Sequence, residues 1–230
     1  MPFAHHVALA ERRLVETLLL RPIQVPARFG VATGLWKDER VSITTRAYEG
    51  DVVSYLRVAL VHGSQFSIAS LLGLPRPNRV VPLLTAALEW SGTTRETIVA
   101  ADLPPVAEGD EADAARQAVA LAIPDVWGLP PGGEHPHWSA RRPSPAALYT
   151  RVSADRLPDA VAAFQHYVEI WIQLCAGAVP SPERADLIRA RQRRFIESHR
   201  ADDAIANRLA TMFGRAWTDD YVRTILFPGD

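Results

Sequence analysis

The spacing of hydrophobic residues changes along the chain from short, strand-like segments to helical periodicity in the last third. Short runs that are apolar or alternate with period 2 are typical of strands in a sheet. The predicted strands are residues 41–48, 52–61, 65–72, 97–103 and 146–152. Glycine-containing turns at 50–51 and 62–64 predict antiparallel hairpins. Residues 80–90 are apolar without a clear period, and they fit either a strand or a helix.

Helical spacing dominates the C-terminal third. One apolar stripe at steps of four and three predicts a helix, and its members are Leu157, Val161, Phe164, Val168, Trp171 and Cys175. Further helices are predicted over residues 6–21, 183–200, 203–213 and 218–227, the first ended by Pro22 and the second capped by Ser181. Because strands occupy the middle and helices both ends, the pattern predicts an α+β fold in which helices cover an antiparallel sheet.

A segment of different composition separates the strands from the helices. Residues 110–123 have helical composition, and residues 124–145 form a long run rich in proline, glycine and histidine. Loops of this length are uncommon unless they form a lid or a binding element, or lack fixed structure. The sequence alone leaves both interpretations open.

Composition fits a single domain over residues 1–230, with 48% hydrophobic and 22% charged residues. The net charge of −1 gives no reason to expect binding to nucleic acid or to an anionic membrane. Cys175 is the only cysteine, so no intrachain disulfide can form, and the apolar run at 15–20 is too short to span a membrane. We therefore expect a cytoplasmic protein.

Common catalytic signatures are missing. Adjacent His5 and His6 point in different directions on a helix, and His135 and His137 have no cysteine or carboxylate at ligand spacing, so no metal site is expected. The chain has no phosphate-binding loop, dinucleotide fingerprint or nucleophile elbow. We therefore expect no tightly bound nucleotide or flavin.

Two carboxylates are candidates for proton transfer. Glu89 follows a largely apolar run, and Asp203 opens a predicted helix. A carboxyl group in apolar surroundings favours its protonated form near neutrality and can donate a proton. The alternatives are a surface acid for Glu89 and a helix cap for Asp203.

Arginines are concentrated in two places. The helix predicted at 183–200 carries Arg191, Arg193 and Arg194, which fit either a solvated face or a docking site for an acidic electron carrier. Arg141 and Arg142 precede the last strand, where they fit either a contact with ligand carboxylates or surface solubility.

Several short motifs occur in an order that resembles the ferredoxin-dependent bilin reductases and the related red chlorophyll catabolite reductase. They are Pro75-Arg76-Pro77 with Pro82, Gln192-Arg193-Arg194-Phe195, Asp203 to Ala206, Phe213-Gly214 and Leu226-Phe227-Pro228. Ala101 to Pro105, Ser144 to Tyr149 and Glu169 to Cys175 resemble the chlorophyll catabolite enzyme in particular. The resemblance runs from about residue 41 to 227 as scattered anchors.

The resemblance implies an α/β/α sandwich with substrate between the sheet and the C-terminal helices. It also implies reduction of a linear tetrapyrrole with electrons from reduced ferredoxin and with no bound cofactor. Asp203 corresponds by position to a carboxylate that contacts or protonates the substrate. By analogy with the chlorophyll catabolite enzyme, a homodimer is a further expectation.

The chain departs from the bilin reductases at two positions. Aligned on Pro75 and Pro82, Ser70 stands where they have a catalytic histidine, and Ala87 where they have a catalytic aspartate. Glu89, two residues further on, would face the same side of a strand and is our candidate for the missing acid. The predicted substrate-binding residues are Ser70, Arg142, Ser144 and Asn207. The alternatives are a protein that binds a tetrapyrrole or hydrophobic metabolite without turnover, and an enzyme acting on another substrate.

Overall fold

The computed structural model describes residues 3–106, 128–130, 132, 144, 147–201 and 203–228. Within them, eight strands form one antiparallel sheet, in which β3 to β8 follow one another in chain order and β1 and β2 both pair with β3. The strands are β1 Arg21–Ile23, β2 Val31–Trp36, β3 Glu39–Glu49, β4 Val53–His62, β5 Phe66–Pro75, β6 Leu84–Ser91, β7 Glu96–Asp102 and β8 Leu148–Ser153. Short connections join the neighbours from β3 to β7, as antiparallel pairing allows, whereas residues 103–147 connect β7 to β8.

Helices cover both faces of the sheet. The helices of the described residues are α1 Ala4–Thr17, the single turn α2 Ala27–Gly30, α3 Leu157–Ala176, α4 Ala185–Arg200, α5 Asp203–Phe213 and α6 Arg215–Tyr221, followed by a π-helical turn at Val222–Leu226. One apolar core joins α1 and α3 to one face of the sheet, and a second joins α4, α5 and α6 to the other. The predicted three-layer α/β/α sandwich is therefore confirmed.

Trp171 anchors α3 to the sheet. Its indole Nε1 donates a hydrogen bond of 2.8 Å to the carbonyl of Pro82, and its ring is fully buried. The ring lies directly over Gly73 of β5, where a Cβ atom would stand 2.7 Å from it. This close approach fixes the distance between helix and sheet on the face away from the C-terminus.

The C-terminal helices are tied to the opposite face by polar contacts with strands β3, β4 and β5. Gln192 Nε2 donates a 2.7 Å hydrogen bond to the carbonyl of Pro75. The hydroxyl of Tyr55 bonds to the carbonyl of Ile225 at 2.7 Å, and Thr45 and Tyr221 share a 2.9 Å hydrogen bond. These contacts hold α4, α6 and the π turn against strands β3 to β5.

Several elements differ from the sequence prediction. The undecided run at 80–90 contains strand β6, while β1 and β2 lie in a region where no strand was predicted. Helix α1 ends at Thr17, before Pro22, and Ser181 makes no side-chain cap because a 3₁₀ turn intervenes before α4. The predicted helix at 110–123 and most of the loop at 124–145 lie outside the described residues. None of the described helices is both long enough and apolar enough to cross a membrane.

Candidate active site

A cavity of about 590 Å³ lies between the sheet and the C-terminal helices. Strands β4 to β7 form its floor, and residues of α4, α5 and the π turn form its roof. This volume falls in the range of sites that bind organic ligands. The position agrees with the substrate site that the sequence resemblance implied.

Small side chains make the middle of the floor flat. Ala59, Ser70, Ala87 and Ala100 are register neighbours on four adjacent strands, and all of them line the cavity. Because neighbouring strands lie about 4.8 Å apart, this row extends for about 14 Å. A flat surface of that length suits an extended, planar ligand.

Larger side chains border this row on both sides. One border consists of Arg57, Leu72, Thr85 and Asp102, and the other of Val61, Ile68, Glu89 and Ile98. Each border therefore combines apolar side chains with ionisable groups. The arrangement places charges at the two long edges of the flat row.

Ser70 and Ala87 lie side by side, since they are direct partners in the β5–β6 register. The hydroxyl of Ser70 accepts a hydrogen bond of 3.0 Å from Arg57 Nη1. Neither side chain is a carboxyl or an imidazole, so neither can supply an acidic proton at this point of the floor. Ser70 was predicted from the sequence as a site residue and Arg57 was not, although Arg57 is the one charge in an otherwise apolar strand run.

Glu89 lines the cavity, two residues beyond Ala87 on the same face of β6. Its two carboxylate oxygens accept hydrogen bonds from Arg208 of α5, at 2.8 Å from Nη1 and 2.5 Å from Nη2. Such a bidentate pair is strong and orients both groups. It also joins the floor of the cavity to its roof, a link that the sequence could not indicate.

His199 is an imidazole in the roof that the sequence analysis did not identify. It lies on α4 and lines the cavity together with Phe195 and Ser198. Its Nδ1 lies 2.8 Å from the carbonyl oxygen of Phe195, and the two rings stack with centroids 3.9 Å apart. Nδ1 also lies 3.3 Å from the hydroxyl oxygen of Ser198, so both contacts hold the ring in its place in the roof. Nothing in the spacing of this basic helix distinguishes His199 from a surface residue.

Asp102, at one border of the floor, is the partner of Ser144. The backbone amide of Ser144 donates a 2.9 Å hydrogen bond to Oδ2 of Asp102, and its hydroxyl donates to Oδ1. Asp102 lines the cavity, whereas Ser144 does not. The side chain that the sequence predicted to bind substrate thus acts on a neighbouring carboxylate.

The remaining predicted catalytic and substrate-binding residues are Asp203, Asn207 and Arg142, and the structure places none of their side chains in the lining of the cavity within the part of the chain that it describes. Asp203 is the first residue of α5, and its side chain lies outside the described part of the structure. Asn207 is exposed, does not line the cavity and accepts a 2.7 Å hydrogen bond from Arg215. Arg142 lies outside the described residues.

The predicted docking arginines all lie on α4. Arg193 and Arg194 are exposed, and Arg191 is partly buried. Arg194 also lines the cavity, so α4 presents basic groups to solvent and also covers the cavity. The helix thus joins a charged outer surface to the roof of the cavity.

Comparison with known proteins agrees with this architecture. The chain is 29% identical to a phycoerythrobilin:ferredoxin oxidoreductase of Synechococcus sp. (strain CC9311), over 91% of this chain and 87% of the relative. It is 26% identical to a phycocyanobilin:ferredoxin oxidoreductase of Gloeobacter violaceus, over 92% of this chain and 84% of the relative.

Among solved structures, tomato phytochromobilin synthase in complex with biliverdin superimposes with a TM-score of 0.86. The match covers 98% of this chain and 82% of the tomato chain at 19% identity, and it therefore shows a shared fold. The sequence model of the ferredoxin-dependent bilin reductases matches residues 8–228, nearly the whole chain. The expectation of an oxidoreductase is confirmed, and the chain belongs to the ferredoxin-dependent bilin reductase family.

Proposed function

We propose that this protein reduces a linear tetrapyrrole, using reduced ferredoxin as electron donor and no resident cofactor. The observation that carries the proposal is the cavity between sheet and C-terminal helices, with its flat row from Ala59 to Ala100. An open-chain tetrapyrrole is a large conjugated molecule, and it has ionisable carboxylates and terminal lactam oxygens. The charged borders of the row offer partners for those groups.

Reduction of one double bond takes two electrons from ferredoxin and two protons from the protein or solvent. Glu89 and Asp203 are our proposed proton donors, and His199 is a third candidate because it lines the cavity. Glu89 accepts two hydrogen bonds from Arg208, so proton donation by Glu89 requires that pair to open when substrate binds. General acids of this kind contribute roughly 10²- to 10⁴-fold to a rate.

The proposed docking site for ferredoxin is the outer surface of α4, with Arg191, Arg193 and Arg194. Charge complementarity between a basic surface and an acidic carrier raises the association rate and orients the two proteins. Since α4 also supplies Phe195 and His199 to the roof, an electron carrier bound there would lie close to the substrate. A homodimer stays a prediction, which light scattering on the purified protein tests.

Visible absorbance tests the proposal directly. Purified protein is mixed anaerobically with biliverdin, and spectra are compared before and after reduced ferredoxin is added. A shift on mixing, followed by ferredoxin-dependent loss of the conjugated band, supports a reductase. If no shift occurs on mixing, the cavity serves a different ligand and the tetrapyrrole proposal is wrong.

A second candidate function is tetrapyrrole binding without turnover. The observation that favours it is the pair of Ser70 and Ala87, because neither side chain is an effective proton donor. In the same experiment, a pure binder shifts the biliverdin spectrum and then holds that spectrum unchanged after electrons are supplied.

A further inference from the structure

Arg57 is a buried cation in the floor of the cavity. It lies on the central strand β4, lines the cavity and is only 4% exposed. Its neighbour in the register is Leu72, so one side of the guanidinium faces apolar surroundings. A charge in such a position is unfavourable unless it is paired and hydrogen-bonded.

The described residues provide hydrogen-bond partners for only some of the donors of this guanidinium. Nη1 donates to the hydroxyl of Ser70 at 3.0 Å, whereas Nε is buried and has no hydrogen-bond partner among the described residues. Within the same part of the chain, no carboxylate lies within ion-pair distance of Arg57. Arg208, by contrast, has Glu89 as its partner. Arg57 is thus a desolvated cation with unused donors beside a ligand-sized space.

We infer that Arg57, oriented by Ser70, binds a negatively charged or strongly polarised oxygen of the ligand. The inference rests on the proposed tetrapyrrole ligand, which has two sources of such an oxygen, a carboxylate side chain and a terminal lactam. A guanidinium presents several N–H donors in one plane and suits either group. Ser70 is then a positioning residue, because its hydroxyl holds Nη1 and thereby orients the guanidinium.

The stability of the ligand-free protein distinguishes a ligand-binding role from a structural one. Replacing a buried charge that lacks a counter-charge with an apolar side chain of similar length removes an unfavourable burial. We therefore expect Arg57→Met to leave the melting temperature of the ligand-free protein unchanged or to raise it. A matched control is Arg12→Met, the same change at an exposed position of α1 on the other side of the sheet.

Titration with two pigments identifies which oxygen of the ligand Arg57 binds. Wild type, Arg57→Met, Ser70→Ala and Arg12→Met are titrated with biliverdin and with biliverdin dimethyl ester, and binding is followed by visible absorbance without ferredoxin. We expect Arg57→Met to bind biliverdin roughly 10- to 100-fold more weakly, Ser70→Ala to lose less, and Arg12→Met to match wild type. If the loss is confined to biliverdin, Arg57 binds a carboxylate. If Arg57→Met binds the dimethyl ester as much more weakly than wild type does as it binds biliverdin, Arg57 binds a lactam oxygen.

Two results overturn the inference. One is wild-type affinity of Arg57→Met for both pigments, and the other is a lowered melting temperature of the ligand-free variant, which assigns Arg57 a structural role. Failure of the tetrapyrrole proposal looks different, because the wild-type protein then binds neither pigment. In that case the melting temperature of Arg57→Met still decides whether Arg57 has a structural role, since the measurement is made without ligand.

Discussion

Glu89 on strand β6 and Arg208 on helix α5 form a bidentate ion pair across the cavity, with N–O distances of 2.8 and 2.5 Å. The pair links the floor of the cavity to its roof, and both side chains line the space between them. A carboxylate held in this way accepts two hydrogen bonds, so it becomes available for proton transfer only when its partner moves. The proposed role of Glu89 can therefore be tested by substituting either partner of the pair.

Glu89→Gln and Arg208→Gln separate proton transfer from simple linkage of floor and roof. We expect Glu89→Gln to lower the ferredoxin-dependent rate of biliverdin reduction by about 100-fold, because the proton source is gone while an oxygen remains for Arg208. Arg208→Gln frees the carboxylate without removing it, so we expect most of the rate to persist. Equal losses in the two variants, measured under single turnover, would falsify the assignment of Glu89 as a donor.

Asp203→Asn tests the second proposed donor. The amide keeps the size of the side chain but has no acidic proton, so we expect about a 100-fold lower rate with biliverdin binding retained. The control is Asp51→Asn in the turn between β3 and β4, an exposed residue that does not line the cavity. Turnover by Asp203→Asn that equals the control rate contradicts the assigned role.

His199→Gln tests whether the imidazole in the roof donates a proton. Histidine is the side chain that ordinarily changes charge between pH 5 and 8. If imidazolium is the donor, the wild-type rate falls as pH rises through its titration, and His199→Gln is slower and loses that dependence. His166→Gln on α3 is the matched control, because His166 does not line the cavity. A wild-type pH profile in His199→Gln excludes the role.

Reversal of one charge on α4 tests ferredoxin docking. We expect Arg193→Glu to raise the KM for ferredoxin and to weaken its dependence on salt, because attraction to an acidic carrier is lost. Titration with biliverdin should be unchanged, since Arg193 does not line the cavity. Arg12→Glu makes the same change on α1, behind the sheet. The docking site is elsewhere if both variants keep the wild-type KM.

Cys175 provides a test of packing on the other face. The residue is fully buried in α3, and this burial raises the pKa of its thiol. Since the thiolate is the reactive form, we expect no labelling by a thiol reagent at pH 8 in the native protein and complete labelling in urea. Rapid labelling without denaturant contradicts the close packing of α3 on the sheet.

Much of the fold follows from local patterns. The alternating run that became β3 buries Val41, Ile43, Thr45 and Ala47 on one face, as period 2 requires. The stripe from Leu157 to Cys175 became α3, and α5 begins and ends at the predicted residues. Residues 80–90 could not be assigned, because a strand covered on both faces has no polar side to reveal its period.

The candidate site was less accessible to prediction. Glu89 was predicted as a site residue because it follows an apolar run, and Ser70 because it aligns with a known motif; both line the cavity, and their roles stay predictions. Arg57 is a lone charge in an apolar strand, which is a signal in the sequence. That signal points to a site only once the burial of Arg57 is known. His199 carried none, since its helix is rich in polar residues, and nothing around Arg208 in the sequence pointed to a carboxylate on β6.

The sequence by itself determined the layered α+β architecture and the family, because periodicity and motif order are properties of the chain. Only the tertiary structure decided which charged groups face one another. Arg208 and Glu89 are 119 positions apart, and Arg57 meets Ser70 through a strand register. Such contacts depend on how helices and strands pack in space. The number of residues between two side chains in the sequence does not indicate how far apart they lie in the folded protein.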